Sequence, residues 1–150
     1  MRAFEQSLPM ALLKAREATM RLFRPLLAEH DLTEQQWRVL RALAAADAPV
    51  SVGEVAERTF LLGPSLSRIL SNLEGRELIE RTTVQHDQRK TNLTLTDHGR
   101  STVQRIAPDS EATYSRIEAE FGTARLRLLL DELSALAQLG EADERAKEAS

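Results

Sequence analysis

The feature that most limits what this chain can fold into is a change of hydrophobic period at Glu77. Upstream, Leu66, Ile69, Leu70 and Leu73 fall at i, i+3, i+4 and i+7, which puts them on one side of a helix. Downstream, Leu78 to Val84 and Thr91 to Leu95 are short runs rich in Thr, Ile, Val and Leu, the pattern of strands, joined by the polar stretch Gln85 to Lys90. A helix that feeds a hairpin, with further helices on both flanks, leaves few architectures open.

The upstream helices are punctuated by capping signals. Thr33 with Gln36, and Ser51 with Glu54, have the spacing of reciprocal capping boxes. The first precedes Trp37, Leu40, Leu43 and Ala44; the second precedes Val52, Val55 and Ala56. Asp47-Ala48-Pro49 ends the earlier helix, since proline restricts the residue before it to extended backbone. Leu61-Leu62-Gly63-Pro64 then makes a turn, with proline just inside the next helix start, where its missing N–H would be unpaired anyway.

Long helices flank this middle. Leu12, Met20, Phe23 and Leu27 mark one from Leu8 to Glu29, adjusted near Pro25. Thr96 caps another through Val103, Ile106, Tyr114, Ile117 and Phe121, with a bend at Pro108, and Thr123 opens a last one carrying Leu126 through Leu139. The expected fold is mainly α with a small wing of two or three β-strands. It is one chain unit of 1–150: a winged helix-turn-helix over 33–96, dimerisation helices over 8–30 and 97–140, and a frayed, disordered tail over 141–150. The apolar stripes of the flanking helices exceed what so small a winged unit covers, so they belong either to a symmetric dimer or to an intramolecular bundle.

Composition bounds the function. The chain has no cysteine, which removes disulfides, thiolate nucleophiles and cysteine-ligated zinc, and fits a cytoplasmic setting. His30, His86 and His98 are not at metal-ligand spacing, and no glycine-rich phosphate loop or nucleophile elbow occurs, so neither enzyme, metal site nor cofactor is expected. No signal segment or membrane span is visible. The net charge of −3 is unlike that of a nucleic-acid binder with a basic surface throughout, but it is an average. Leu62 to Arg100 hold six Arg or Lys against five acids, while Glu141 to Ser150 hold four acids and two bases. DNA affinity would depend on where the cations sit.

With the stripe from Leu66 to Leu73 turned inward, Pro64, Arg68, Ser71 and Gly75 fall on the opposite side of that helix, flanked by Ser65, Ser67 and Asn72. This small, hydroxyl-rich face with one arginine suits the major groove, where Arg68 could meet a guanine edge or a phosphate and the serines either. An ordinary solvated helix face has the same composition. At the hairpin, Arg89 and Lys90 suit a minor groove, and Asp87, two residues before Arg89, is placed to orient its guanidinium.

These residues resemble the MarR family of bacterial regulators. Leu78-Ile79-Glu80-Arg81, Asp87-Gln88-Arg89-Lys90 and Leu93-Thr94-Leu95-Thr96-Asp97-His98-Gly99 look like that family's wing signature. Ala11 to Ala18, Phe23-Arg24-Pro25 and Leu32 to Arg38 are similar to a branch that regulates homoprotocatechuate (4-hydroxyphenylacetate) degradation. The resemblance implies a homodimeric repressor of an aromatic-acid catabolic operon, bound to a pseudo-palindromic operator in double-stranded DNA. It also implies release by an aromatic carboxylate such as 4-hydroxyphenylacetate or 3,4-dihydroxyphenylacetate. A helical metabolite sensor or protein-interaction module that does not bind DNA is the rival reading, because fold alone does not fix function. The chain departs from the family in having Glu77 where a glycine is usual, so either Glu77 adopts left-handed backbone or the helix ends sooner.

Arg16 interrupts the apolar stripe of the first helix. It could clamp an effector carboxylate, with Trp37 as an aromatic wall and Arg38 or Arg41 nearby, or pair with an acid across a dimer interface.

Overall fold

The computed structural model describes residues 3–4, 7–84 and 87–148, with backbone alone at 84, 87–90 and 140–148. In chain order these residues form α1 (Leu8–Ala28), α2 (Glu34–Ala44), β1 (Val50–Ser51), α3 (Val52–Thr59), α4 (Gly63–Gly75), β2 (Ile79–Val84), β3 (Asp87–Leu95), α5 (Asp97–Phe121) and α6 (Thr123–Glu148). Both capping boxes form. The Thr33 hydroxyl accepts from Gln36 N–H and the Gln36 side-chain carbonyl accepts from Thr33 N–H, and Ser51 and Glu54 repeat the exchange at α3. Each box satisfies N-terminal amides that a helix leaves unpaired.

The wing has three antiparallel strands in the order β1-β3-β2, with Val50 opposite Leu93 and Ile79 opposite Leu95. Asp87 to Lys90, expected in the connecting loop, are backbone of β3, where Val84 pairs with Asp87 beyond an irregularity after Thr83. Hydrophobic alternation reads side chains, whereas the ladder is made by main-chain groups and tolerates polar residues.

The core lies in the winged portion. Leu27, Val39, Leu40, Val55, Leu66, Leu70, Leu73, Leu78, Leu93 and Ile106 are all buried, so α1, α2, α3, α4, the sheet and the start of α5 each contribute. The chain divides into two compact units within α5, at Ser110 and Glu111. Gly99, Thr102, Ile106 and Ser110 of α5 are buried, so the first unit takes in α5 as far as Ser110.

One junction fixes the wing to its neighbours. Glu77, with φ of 55°, takes the left-handed position that closes α4: its N–H donates to the Glu74 carbonyl, and Leu78 N–H donates to the Leu73 carbonyl. Of the two readings open at Glu77, the left-handed one holds. The Thr96 hydroxyl donates to the Glu77 carbonyl at 2.6 Å. Thr96 N–H donates to the Leu78 carbonyl, and Gly99 N–H donates to the Thr96 hydroxyl at 2.9 Å. At Gly99 a Cβ would stand 1.9 Å from the Leu78 carbonyl oxygen, so only glycine lets α5 approach this closely.

The second unit, Glu111–Ser150, pairs the later part of α5 with α6 across Gly122, whose φ is 101°. Among its described residues none is fully buried; Ile117, Leu126, Leu133 and Leu136 are half-buried, and Leu128, Leu130 and Leu139 are exposed. The frayed tail expected from residue 141 is helical backbone as far as Glu148. Ala, Glu, Arg and Lys are strong helix formers and no proline follows Gly140, which accounts for the continuation. Among the described residues no helix is long and apolar enough to cross a membrane.

Two substitutions at the junction should act in opposite directions in urea unfolding. Gly99→Ala should cost at least about 1–3 kcal/mol, because the obstacle is backbone. Glu77→Gly should gain up to about 1 kcal/mol by relieving left-handed strain. A Gly99→Ala protein as stable as wild type would contradict the described approach of α5.

Candidate nucleic-acid and ligand interface

Burial of Leu66, Leu70 and Leu73 with half-burial of Ile69 fixes the rotation of α4 about its axis. As a result Pro64, Ser65, Ser67, Arg68, Ser71 and Asn72 are all exposed, as the sequence periodicity requires. They form two stripes. Ser65, Arg68 and Asn72 line a groove of about 380 Å³ between α4 and the first turn of α2, together with Thr33, Gln35 and Gln36. Pro64, Ser67 and Ser71 lie at i, i+3 and i+7 on the remaining exposed face. The turn before α4 bends at Phe60, in left-handed backbone with φ of 54°, and leaves Phe60 and Leu62 exposed beside the helix start. Gly63, expected in this turn, is instead the first residue of α4.

The side chains of Asp87, Arg89 and Lys90, expected to reach DNA from the hairpin, lie outside the described residues. At the base of the wing, Arg81 pairs with Glu74 at 3.0 Å, tying β2 to the last turn of α4. The Arg76 guanidinium donates to the Asp31 carbonyl at 2.8 Å, which ties that same turn to the link between α1 and α2.

The residues expected around a ligand do not form one pocket. Arg16 is exposed rather than buried, and its guanidinium is engaged by Glu17 and Glu34 of its own chain. Arg24 reaches the same two carboxylates, at 2.9 and 3.0 Å. Arg38 approaches Glu34 at 3.4 Å and donates to the Thr59 carbonyl at 2.8 Å, so it links α2 to the end of α3. Glu34 is thus the centre of the cluster, with a side chain only 9% exposed. Burial pushes its carboxyl up, but hydrogen bonds from Arg16 and Arg24 outweigh burial and hold it below the ordinary glutamate range. A cavity of about 570 Å³ beside this cluster is lined by Arg16, Glu17, Arg24, Leu27, Leu32 and Glu34 among others.

Trp37 is buried, and Arg41, one turn further along α2, lies over its ring at 5.8 Å. Among the described ion pairs none engages Arg41, which leaves its donors open to a carboxylate. Sequence reasoning missed Glu17, Arg24, Glu34 and Gln36. Arg24 with Glu17 spans two turns of one helix and was open to a search for charges on one face. The convergence on Glu34 depends on how α1 crosses α2, which no local pattern encodes.

The Glu34 cluster sets an acid-side limit on stability. Because the folded carboxyl titrates below its unfolded value, its contribution is fully present above about pH 4.3 and is lost as the pH falls through the lower folded value. Glu34→Gln should lower stability near neutrality by about 1 kcal/mol, since the arginines are partly solvated. That difference from wild type should shrink below about pH 4. Equal pH profiles of the thermal midpoint for the two proteins would contradict the cluster.

A family model described as the MarR family matches residues 30–90. The chain is 40% identical over 134 residues to the homoprotocatechuate degradative operon repressor of Escherichia coli, an alignment covering 89% of this chain and 90% of that one. Among solved structures, NadR in complex with 4-hydroxyphenylacetate is similar with a TM-score of 0.79 at 35% identity, over 91% of this chain and 96% of that one. The transcriptional repressor CouR, bound to a 23-mer DNA duplex, is similar with a TM-score of 0.81 at 30% identity, over 91% of this chain and 98% of that one. Such relatives are transcriptional regulators rather than enzymes.

Proposed function

The chain belongs to the MarR family of transcriptional regulators, and we propose from that premise that it is a homodimeric repressor of an aromatic-acid catabolic operon, released from its operator by an aromatic carboxylate. The observation that carries the DNA part is the exposed stripe of α4, small, hydroxyl-bearing and marked by Arg68, on a helix whose other side is sealed in the core. A rigid helix with such a face enters a major groove without acidic obstruction, and Arg68 supplies the planar donors that a guanine edge or phosphate accepts. Arg89 and Lys90, as cations of the hairpin, would extend the contact to the backbone or the adjacent minor groove, the role proposed for Asp87 being to orient Arg89.

Dimerisation is supported by the second unit, which has no fully buried side chain among its described residues and so lacks a core of its own. A helical hairpin draws most of its stability from packing of an apolar face, and a second copy provides one. In α1, Leu8 and Leu13 are likewise exposed. Two copies place two α4 helices on a pseudo-palindromic operator, where half-site spacing about one helical turn apart makes affinity sensitive to small movements.

The effector reading is supported by the pairing of Trp37 with Arg41. An aromatic acid needs a guanidinium and an aromatic ring to pack on, and α2 carries both one turn apart, although the acid would have to displace Arg41 to reach the largely buried Trp37 ring. Arg16 and Arg38, joined through Glu34, would answer a new negative charge by exchanging partners. For release, the acid must bind the form that does not hold DNA more tightly than the form that does. The name of the E. coli relative and the 4-hydroxyphenylacetate in the NadR complex favour a hydroxyphenylacetate as the acid.

A gel shift on DNA upstream of the protein's own and neighbouring genes, with and without a panel of aromatic acids, tests this function. Retardation that 4-hydroxyphenylacetate or 3,4-dihydroxyphenylacetate reverses is expected. Arg41→Ala should keep operator affinity while raising the acid concentration needed for release by roughly tenfold or more, the effect of one charge-assisted bond. No retardation on any such fragment would favour a metabolite sensor that does not bind DNA.

A further inference from the structure

We infer that Gln36 fixes the hydrogen-bonding polarity of Asn72, so that the recognition face presents the Asn72 amide as a donor to an acceptor atom of DNA. The polarity follows by elimination. A backbone N–H can only donate, and Thr33 N–H is bonded to the Gln36 side chain at 2.9 Å, so the Gln36 carbonyl oxygen must face it. The Gln36 amide nitrogen is therefore on the other side, where it donates to the Asn72 side chain at 2.7 Å. A primary amide nitrogen is donor only, which requires the Asn72 carbonyl oxygen to receive that bond. The Asn72 NH2 is left with its donors directed away from Gln36, on an exposed residue that lines the groove with Ser65 and Arg68.

The cap of α2 thus sets a chemical property of α4. An amide free to turn over would offer DNA either a donor or an acceptor; here the chain Thr33–Gln36–Asn72 removes the second option. A donor at this place suits a phosphate oxygen, or guanine O6 or purine N7 in the major groove, and disfavours the exocyclic amines of adenine and cytosine. Thr33 and Gln35 line both this groove and the cavity beside Glu34. Movement of the first turn of α2 would therefore disturb the Asn72 contact.

This inference rests on the DNA-binding reading above, and Gln36→Glu tests it separately. Glutamate keeps the capping box, because its carboxylate accepts from Thr33 N–H, but it cannot donate to Asn72. Asn72 should then turn over, with its NH2 bonded to the introduced carboxylate and its oxygen toward DNA. Expected are an unchanged thermal midpoint within a few degrees and an operator affinity reduced by roughly tenfold, the range of one lost base or phosphate contact. Selection from a randomised operator library distinguishes the acceptors. A change of preferred base at one position in each half-site marks a base contact, and a uniform loss that depends on Asn72 marks a phosphate contact.

The control is the Asn72→Ala background, in which Gln36→Glu should change affinity by less than about twofold. An equal loss with and without Asn72 would mean that the added charge acts directly on DNA, and the inference fails. Unaltered affinity and preference in Gln36→Glu, with wild type binding, would also overturn it while leaving the proposed function intact. Absence of DNA binding by the wild-type protein would overturn both.

Discussion

The placement of the wing beside α4, the surface proposed to face DNA, depends on the contact between Gly99 and the Leu78 carbonyl. Around it, Thr96 bonds both the Glu77 and Leu78 carbonyls, so the end of α4, the start of β2 and the start of α5 share one set of polar groups. Because the wing begins where α4 ends, its direction relative to α4 is set by these hydrogen bonds as well as by side-chain packing. Glu77 is the exception the chain accepts: a left-handed residue with a side chain, in a place where glycine would be easier.

Much of this was legible in the sequence because the signals are local. Capping boxes act over three residues, and both predicted boxes form as spaced. The apolar stripe of α4 told which residues face outward, and Thr96 announced the start of α5. Less local features were not readable. The third strand is only Val50–Ser51, too short to show a period. Asp87 pairs with Val84 through the main chain, and the register shift between Thr83 and Val84, which hydrophobic alternation does not encode, carries the strand past Gln88 to Lys90 to the pairing of Thr91 with Thr83. The tail continues as helix because helix propensity does not need an apolar face, which periodicity alone looks for.

The residues proposed for the ligand divide the same way. Trp37 and Arg41 share one helix, so their proximity was implied by their spacing of four. The role of Arg16 was not. Its place in an apolar stripe suggested burial, yet where α1 meets α2 the guanidinium turns to Glu34 at the first turn of the neighbouring helix. That turn serves two faces: its glutamate gathers the arginines, and its glutamine holds Asn72. An effector acting through the arginine cluster and a recognition helix reading DNA would meet at this one capped helix end.

If α4 and the wing engage DNA together as parts of one rigid unit, operator binding must protect both at once. Amide hydrogen exchange of the dimer with and without saturating operator duplex tests this directly. Slower exchange in Gly63–Gly75 and in β2 and β3 at the same occupancy is the predicted result. Slowing confined to α6, or in one of the two elements without the other, would contradict it.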